Sequence, residues 1–123
     1  MRKPKTRCNG EWTEARFLQF VRSALRQCSM RWAPLVRIAP DSARRKNQSD
    51  NKRLRWEYQC AKCKDWYPRK QVEVDHIEPV GSLKSLDDLP GFVSRLLCEA
   101  DGLVVLCDAC HHEKTHKGKK KNA

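Results

Sequence analysis

An acidic residue and a histidine stand side by side at the end of an apolar stretch, followed by a proline, in the segment 72–79. A carboxylate such as Asp75 binds divalent cations, and an imidazole such as His76, with an unperturbed pKa of about 6.5, can accept a proton at neutral pH. Adjacent strand residues point to opposite sides, and we expect the break at Pro79 to let these two depart from that alternation. Together with His111, these residue types suit a site that activates water beside a bound cation.

Four of the seven cysteines form two short-spaced pairs, Cys60-x-x-Cys63 and Cys107-x-x-Cys110. Each pair can give two thiolates to one tetrahedral zinc ion, with Zn–S distances of about 2.3 Å. Four thiolates close the coordination shell, so this zinc is predicted to hold the fold together and not to perform chemistry. The other three cysteines have no short-spaced partner and are interpreted as buried free thiols.

The charge balance favours a polyanionic partner. Lys and Arg number 26 against 15 Asp and Glu, which gives a net charge of +11. Nucleic acid fits better than a membrane surface, because the basic residues are spread along the whole chain and no long apolar run is present. The basic N-terminus lacks the apolar stretch of a secretory signal, so we expect a cytoplasmic protein whose paired thiols bind metal and do not form disulfides.

Taken in order, these motifs resemble those of the HNH nuclease family. The family pattern runs Cys-x-x-Cys, then Asp-His-Ile with a nearby proline, then Leu-x-x-Leu-Cys-x-x-Cys-His-x-x-Lys-Thr, and residues 60–115 match it almost throughout. The preceding arginine-rich helix, with Arg31, Trp32 and a proline, is similar to the leader of phage-encoded members. The resemblance implies an α+β fold: a small ββα-metal (HNH, treble-clef-like) domain stapled by a four-cysteine zinc site and preceded by an amphipathic N-terminal helix.

The resemblance implies a metal-dependent endonuclease acting on double-stranded DNA, and it also implies roles for individual residues. His76 would be the general base, while Asp75 and His111 would ligate one catalytic Mg²⁺, Mn²⁺ or similar divalent ion. The structural zinc would be held by Cys60, Cys63, Cys107 and Cys110. Phage packaging proteins are a further expected class of partner, whereas no membrane partner is expected.

The chain departs from the family pattern at one position. The asparagine that gives the family its middle letter would fall at position 102, where this chain has Gly102 beside Asp101. Asp101 or a backbone group is then expected to brace the loop that holds the base. The third metal ligand stays open: His112 and His116 share a helical face and could contribute if the register shifts by one residue.

Hydrophobic periodicity predicts the elements that position these residues. Apolar residues recur at helical spacing from Thr13, a suitable cap, to about Trp32. Short strands are predicted near 56–60 and 72–74, and 103–106 suits a buried strand. A short helix with Pro90 in its first turn is expected within 81–99, and another helix from about Asp108 through Thr115.

Several basic residues are candidates for DNA contacts. On the first helix, Arg16, Arg22 and Arg26 form either a solvated face or a strip that contacts phosphates. Lys114, one turn after His111, is either solvated or holds a neighbouring phosphate.

We divide the chain into a flexible basic arm (1–10), an N-terminal helix and basic linker (11–55), an HNH nuclease core (56–116) and a basic disordered tail (117–123). Pro34 and Pro40 are expected to end the helical pattern, with an unstructured basic run over 41–53. Two alternatives stay open. One is a zinc-stapled DNA-binding module with weak or absent catalysis, which Gly102 favours, and the other is a nuclease subunit that acts only with a partner such as a phage packaging motor.

Overall fold

The structure is a computed structural model that describes residues 2–120, with side chains described through residue 114. Within that range the chain adopts a small α+β fold, as predicted. The helices are α1 (Glu14–Ser29), α2 (Ala39–Ser42), α3 (Leu89–Leu96) and α4 (Asp108–Lys120). The strands are β1 (Arg44–Lys46), β2 (Trp56–Gln59), β3 (Trp66–Tyr67), β4 (Val72–His76) and β5 (Leu103–Cys107). None of the described helices has both the length and the apolar character needed to cross a bilayer.

Helix α1 begins at the predicted cap. Thr13 Oγ1 accepts a hydrogen bond from the backbone N–H of Arg16 at 3.2 Å, which satisfies one of the unpaired donors of the first turn. The apolar stripe of α1 packs on α3 in a core that includes Leu18, Phe92 and Leu96. The helix predicted from Thr13 and the helix predicted within 81–99 are therefore confirmed, and each buries the face that its periodicity indicates.

Helix α1 ends at Ser29, but the chain is helical again over the two prolines that were expected to end the helical pattern. A π-helical turn spans Pro34–Ile38, and α2 follows it directly. That expectation was wrong because Pro34 and Pro40 each occupy the first turn of their helix, where the backbone N–H has no intrahelical partner to lose.

The basic run expected to be an unstructured linker contains β1. This strand pairs antiparallel with β2, placing Arg45 opposite Glu57, and Arg45 Nε lies 2.6 Å from Glu57 Oε1. The Arg45 guanidinium also lies over the Trp66 ring, 3.8 Å from its centroid. An ion pair with a buried carboxylate and a cation–π contact thus hold a strand that carries no apolar residue.

Two small antiparallel sheets meet in the core. Strands β1, β2 and β3 form one sheet in that order, and β4 pairs with β5 in the other. Tyr58, Val72 and Val105 pack between the sheets. Helix α4 follows β5 without a loop, so β4, β5 and α4 form a ββα unit. Helix α4 runs to Lys120, past the predicted end at Thr115, and positions 121–123 of the predicted tail lie outside the described residues.

The three unpaired cysteines are less buried than expected. Cys28 and Cys98 are half-buried, and Cys8 is exposed in a turn with a φ of 55°. The expectation was wrong for Cys8 because this turn precedes α1 and lies outside the core. In the same N-terminal segment, expected to be a flexible arm, Arg7 forms an ion pair with Glu14 at 3.0 Å.

Candidate metal centre and active site

The two short-spaced cysteine pairs come together in space. All four Sγ atoms lie within 4.8 Å of one another, and the Sγ atoms of Cys63 and Cys107 are 3.9 Å apart. Tetrahedral coordination at a Zn–S distance of about 2.3 Å needs sulfurs about 3.8 Å apart. The predicted cluster is confirmed, and its four sulfurs could hold a zinc ion.

Two thiols of this cluster, Cys60 and Cys110, have pKa values shifted in opposite directions. Burial raises the pKa of the Cys60 thiol, but hydrogen bonds from backbone N–H groups, the strongest of them at Cys107, bring that pKa down to about 6. The hydrogen bond with Cys107, reinforced by burial, raises the pKa of Cys110 to about 12. A bound divalent cation would favour the thiolate form of every ligand, so all four sulfurs could be deprotonated together. The chemistry of the donor set therefore fits zinc.

The hydroxyl of Tyr67, which no sequence motif pointed to, supports the cluster. Tyr67 Oη lies 3.2 Å from Cys63 Sγ. This contact raises the pKa of the Tyr67 phenol, so the phenol keeps its proton and can donate to a thiolate. Such outer hydrogen bonds orient metal ligands. Tyr67 belongs to a two-residue strand, β3, which is too short to leave a periodic signal.

Asp75 lies on the face of β4 that contacts α4. Its Oδ2 atom forms an ion pair with Lys114 Nζ at 3.0 Å, and its Oδ1 atom accepts a hydrogen bond from the backbone N–H of His76 at 2.9 Å. Lys114 Nζ also donates to the His76 carbonyl oxygen at 3.0 Å. Lys114 is exposed, and its ammonium is bound to the end of β4; its contact with a phosphate stays a prediction.

The His76 ring turns toward the end of α3, away from the α4 side. Its Nε2 atom lies 2.9 Å from the Leu96 carbonyl oxygen. A carbonyl only accepts, so Nε2 carries the proton and, in the neutral ring, Nδ1 keeps the lone pair. The expected departure from strand alternation at Asp75 and His76 does not occur, because the ladder with β5 continues through His76, which pairs with Leu103.

Gly102 braces the loop after His76 through its backbone. The Ile77 N–H donates to the Gly102 carbonyl oxygen at 3.0 Å. A Cβ atom at position 102 would stand 3.0 Å from Cys98 Sγ, closer than ordinary van der Waals contact. A side chain at this position would therefore require Cys98 to shift. The backbone group expected as one of two substitutes is present. The other, Asp101, is exposed.

The loop that follows α3 is tied to the segment after α1. Trp32 Nε1 donates to the Cys98 carbonyl oxygen at 2.7 Å. This carbonyl lies two residues after Leu96, whose own carbonyl contacts His76. Sequence reasoning missed both carbonyls, since backbone acceptors carry no residue signature. The available signal was Trp32, because an indole N–H that becomes buried usually donates a hydrogen bond to an acceptor.

His111 is half-buried in the first turn of α4, directly after Cys110 and one turn before Lys114. Among the residues with described side chains, the four cysteines form the only group of three or more that could hold a metal ion, and neither Asp75 nor His111 belongs to it. His112 is exposed, and the side chain of His116 lies outside the described residues. The structure thus brings Asp75 to α4 but does not supply the third metal ligand left open by the sequence.

The three arginines singled out on α1 have different surroundings. Arg16 and Arg26 are exposed, and Arg22 is half-buried beside Leu83. The guanidinium of Arg16 lies 4.5 Å from the centroid of the Trp12 ring. Arg26 is exposed in the last turn of α1.

Comparisons of this chain with protein-family models, with curated proteins and with solved structures gave no match.

Proposed function

We propose that this chain is a metal-dependent endonuclease of the HNH type that hydrolyses phosphodiester bonds in DNA. The observation that carries the proposal is the 2.9 Å contact between His76 Nε2 and the Leu96 carbonyl oxygen. This contact leaves Nδ1 as the basic nitrogen of an oriented ring. The net charge of +11 supports a polyanionic substrate.

In the proposed reaction a water molecule attacks phosphorus while its proton passes to Nδ1 of His76. The bond between phosphorus and the 3′ oxygen breaks, and that oxygen takes a proton from solvent, which leaves 5′-phosphate and 3′-hydroxyl ends. The Leu96 carbonyl accepts from Nε2 in both the neutral and the charged ring, so it stabilises the imidazolium as it forms. Asp75 and His111 would hold a divalent cation, Mg²⁺ or Mn²⁺, which supplies charge to offset that of the transition state.

Zinc held by the four cysteines has a structural role in this proposal. Cys107 ends β5 and Cys110 lies in the first turn of α4, so the ion would fix the junction that leads to His111. A reducing compartment such as the cytoplasm, of the host if the protein is phage-encoded, would keep these sulfurs available for metal.

The test is the nicking of supercoiled plasmid by zinc-loaded protein across a series of divalent metals. His76→Ala should lower the rate by about 10²- to 10⁴-fold, because the water loses its proton acceptor. Gln71→Ala is the control, since Gln71 is exposed in the turn before β4 and should leave the rate unchanged. A wild-type rate in His76→Ala would contradict the assignment of the base.

A second function is a zinc-stapled DNA-binding module with little or no catalysis. Two observations favour it: Gly102 stands where the family has asparagine, and Lys114 forms an ion pair with one carboxylate oxygen of Asp75. This function predicts a mobility shift with duplex DNA that Asp75→Ala leaves unchanged, and no cleavage with any metal of the series. A nuclease that needs a partner, such as a packaging motor, would instead cut only when that partner is added.

A further inference from the structure

Lys114 reaches from α4 to two oxygens on consecutive residues of β4. Its ammonium lies 3.0 Å from Asp75 Oδ2 and 3.0 Å from the His76 carbonyl oxygen. One oxygen is charged and the other is the negative end of a backbone dipole, so both attract a cation at the same point. The end of β4 is thus a cation site, and the cation in this structure belongs to the chain itself.

The surroundings of this site suit a divalent ion as well as an ammonium. Carboxylate and carbonyl oxygens are the ligands that Mg²⁺ and Mn²⁺ prefer. His111 precedes Lys114 by three positions, so both lie on one face of α4. The neighbouring carboxylate of Glu113 is engaged elsewhere, in an ion pair with Lys62 at 3.2 Å. Lys114 therefore stands in for the ion that the proposed nuclease would use.

We propose that Lys114 is an internal counter-cation that competes with the divalent ion for Asp75 Oδ2 and the His76 carbonyl. The inference rests on the proposed function. Metal loading releases the ammonium from β4, and the released ammonium binds a phosphate of the DNA. A phosphate that draws Lys114 away from Asp75 strengthens metal binding by the same factor as the metal strengthens phosphate binding, because coupling between two sites is reciprocal.

The first experiment measures Mn²⁺ binding by calorimetry on protein whose cysteine site has been filled with zinc. Lys114→Met removes the competing charge and keeps most of the side-chain length, so it should bind Mn²⁺ about three- to tenfold more tightly than wild type. Lys62→Met is the matched control. It removes the same charge from a lysine that pairs with Glu113, and Glu113 lies on α4 next to Lys114. The control should change Mn²⁺ affinity by less than about twofold, which is the range left for long-range electrostatics.

The second experiment repeats the titration with a short DNA duplex present. In wild type the duplex should tighten Mn²⁺ binding. In Lys114→Met most of that gain should vanish, because the ammonium that would move from Asp75 to a phosphate is missing. Lys62→Met should keep the gain.

The inference is overturned if Lys114→Met binds Mn²⁺ no more tightly than Lys62→Met, or if neither variant nor wild type binds Mn²⁺ at all. Plasmid nicking by wild type separates this result from a failure of the proposed function. Nicking without tighter Mn²⁺ binding in Lys114→Met removes the inference alone. Tighter Mn²⁺ binding without nicking under any metal supports the inference at the cation site and removes the nuclease.

Discussion

The indole N–H of Trp32 donates to the carbonyl oxygen of Cys98 at 2.7 Å, across 66 positions of sequence. Trp32 follows α1, whereas Cys98 lies two residues after Leu96, the last residue of α3, whose carbonyl orients the ring of His76. The N-terminal helix, which carries none of the proposed catalytic groups, is thereby joined to the element that fixes the proposed base.

Replacing Trp32 by phenylalanine keeps an aromatic ring and removes the donor. The Cys98 carbonyl then loses its partner, and the free energy of unfolding should fall by about 1–2 kcal/mol in urea titrations. The share of His76 with its proton on Nε2 should also fall, as read from the ¹⁵N shifts of the imidazole nitrogens. Trp12→Phe, at a ring packed edge-on against Phe20, is the control. An unchanged urea midpoint and unchanged shifts in Trp32→Phe would show that this hydrogen bond has no positioning role.

The cysteine cluster should bind one zinc ion per chain, measured by native mass spectrometry. Cys107→Ser should lose the ion and lower the melting temperature, because three thiolates no longer close the shell. Acidification should release zinc from wild type as protons compete for the thiolates. Cys28→Ser, at a half-buried thiol on α1, should keep the ion. Full zinc occupancy in Cys107→Ser would contradict the assigned ligand set.

An asparagine at position 102, the residue that the HNH pattern has there, should destabilise the protein. The new Cβ would meet Cys98 Sγ at 3.0 Å, so Gly102→Asn should lower the free energy of unfolding by about 1–3 kcal/mol. The double variant Cys98→Ala/Gly102→Asn should recover most of the loss, which a double-mutant cycle measures as coupling between the two sites. Additive effects would mean that Cys98 is not the obstacle.

Arg26 should contact a DNA phosphate, because it is exposed at the end of α1. Arg26→Gln should reduce the slope of log K against log salt concentration by about 1 for duplex DNA of any sequence. Arg37→Gln, at an exposed arginine of the π-helical turn, is the control and should leave the slope unchanged. Equal slopes for wild type and Arg26→Gln would place this face of α1 in solvent.

The elements that local patterns encode could be predicted from the sequence. Thr13 caps α1, and the alternation around Val72 marks β4, because these signals depend on neighbours in the chain. The four-cysteine cluster was also predictable, since the spacing within each pair fixes which sulfurs can share an ion.

The remaining features depend on partners far away in sequence. Strand β1 has no apolar pattern, and it is held by the ion pair between Arg45 and the buried carboxylate of Glu57. The orientation of His76 depends on the backbone oxygen of Leu96, a group that every residue type possesses. The role of Lys114 depends on how α4 lies against β4, which the helical pattern of α4 does not specify.

The sulfurs of Cys63 and Cys107 meet although 44 positions separate them in the chain. An ion that joins them closes the intervening chain into a loop, and the entropy of closure grows only with the logarithm of loop length, about 0.6 kcal/mol for each doubling. Between Gly81 and Asp88 this loop is largely exposed, with Leu83 as its buried anchor. Evolution can therefore lengthen or shorten that stretch at little cost, provided that Leu83 stays buried and α3 keeps its place beside His76.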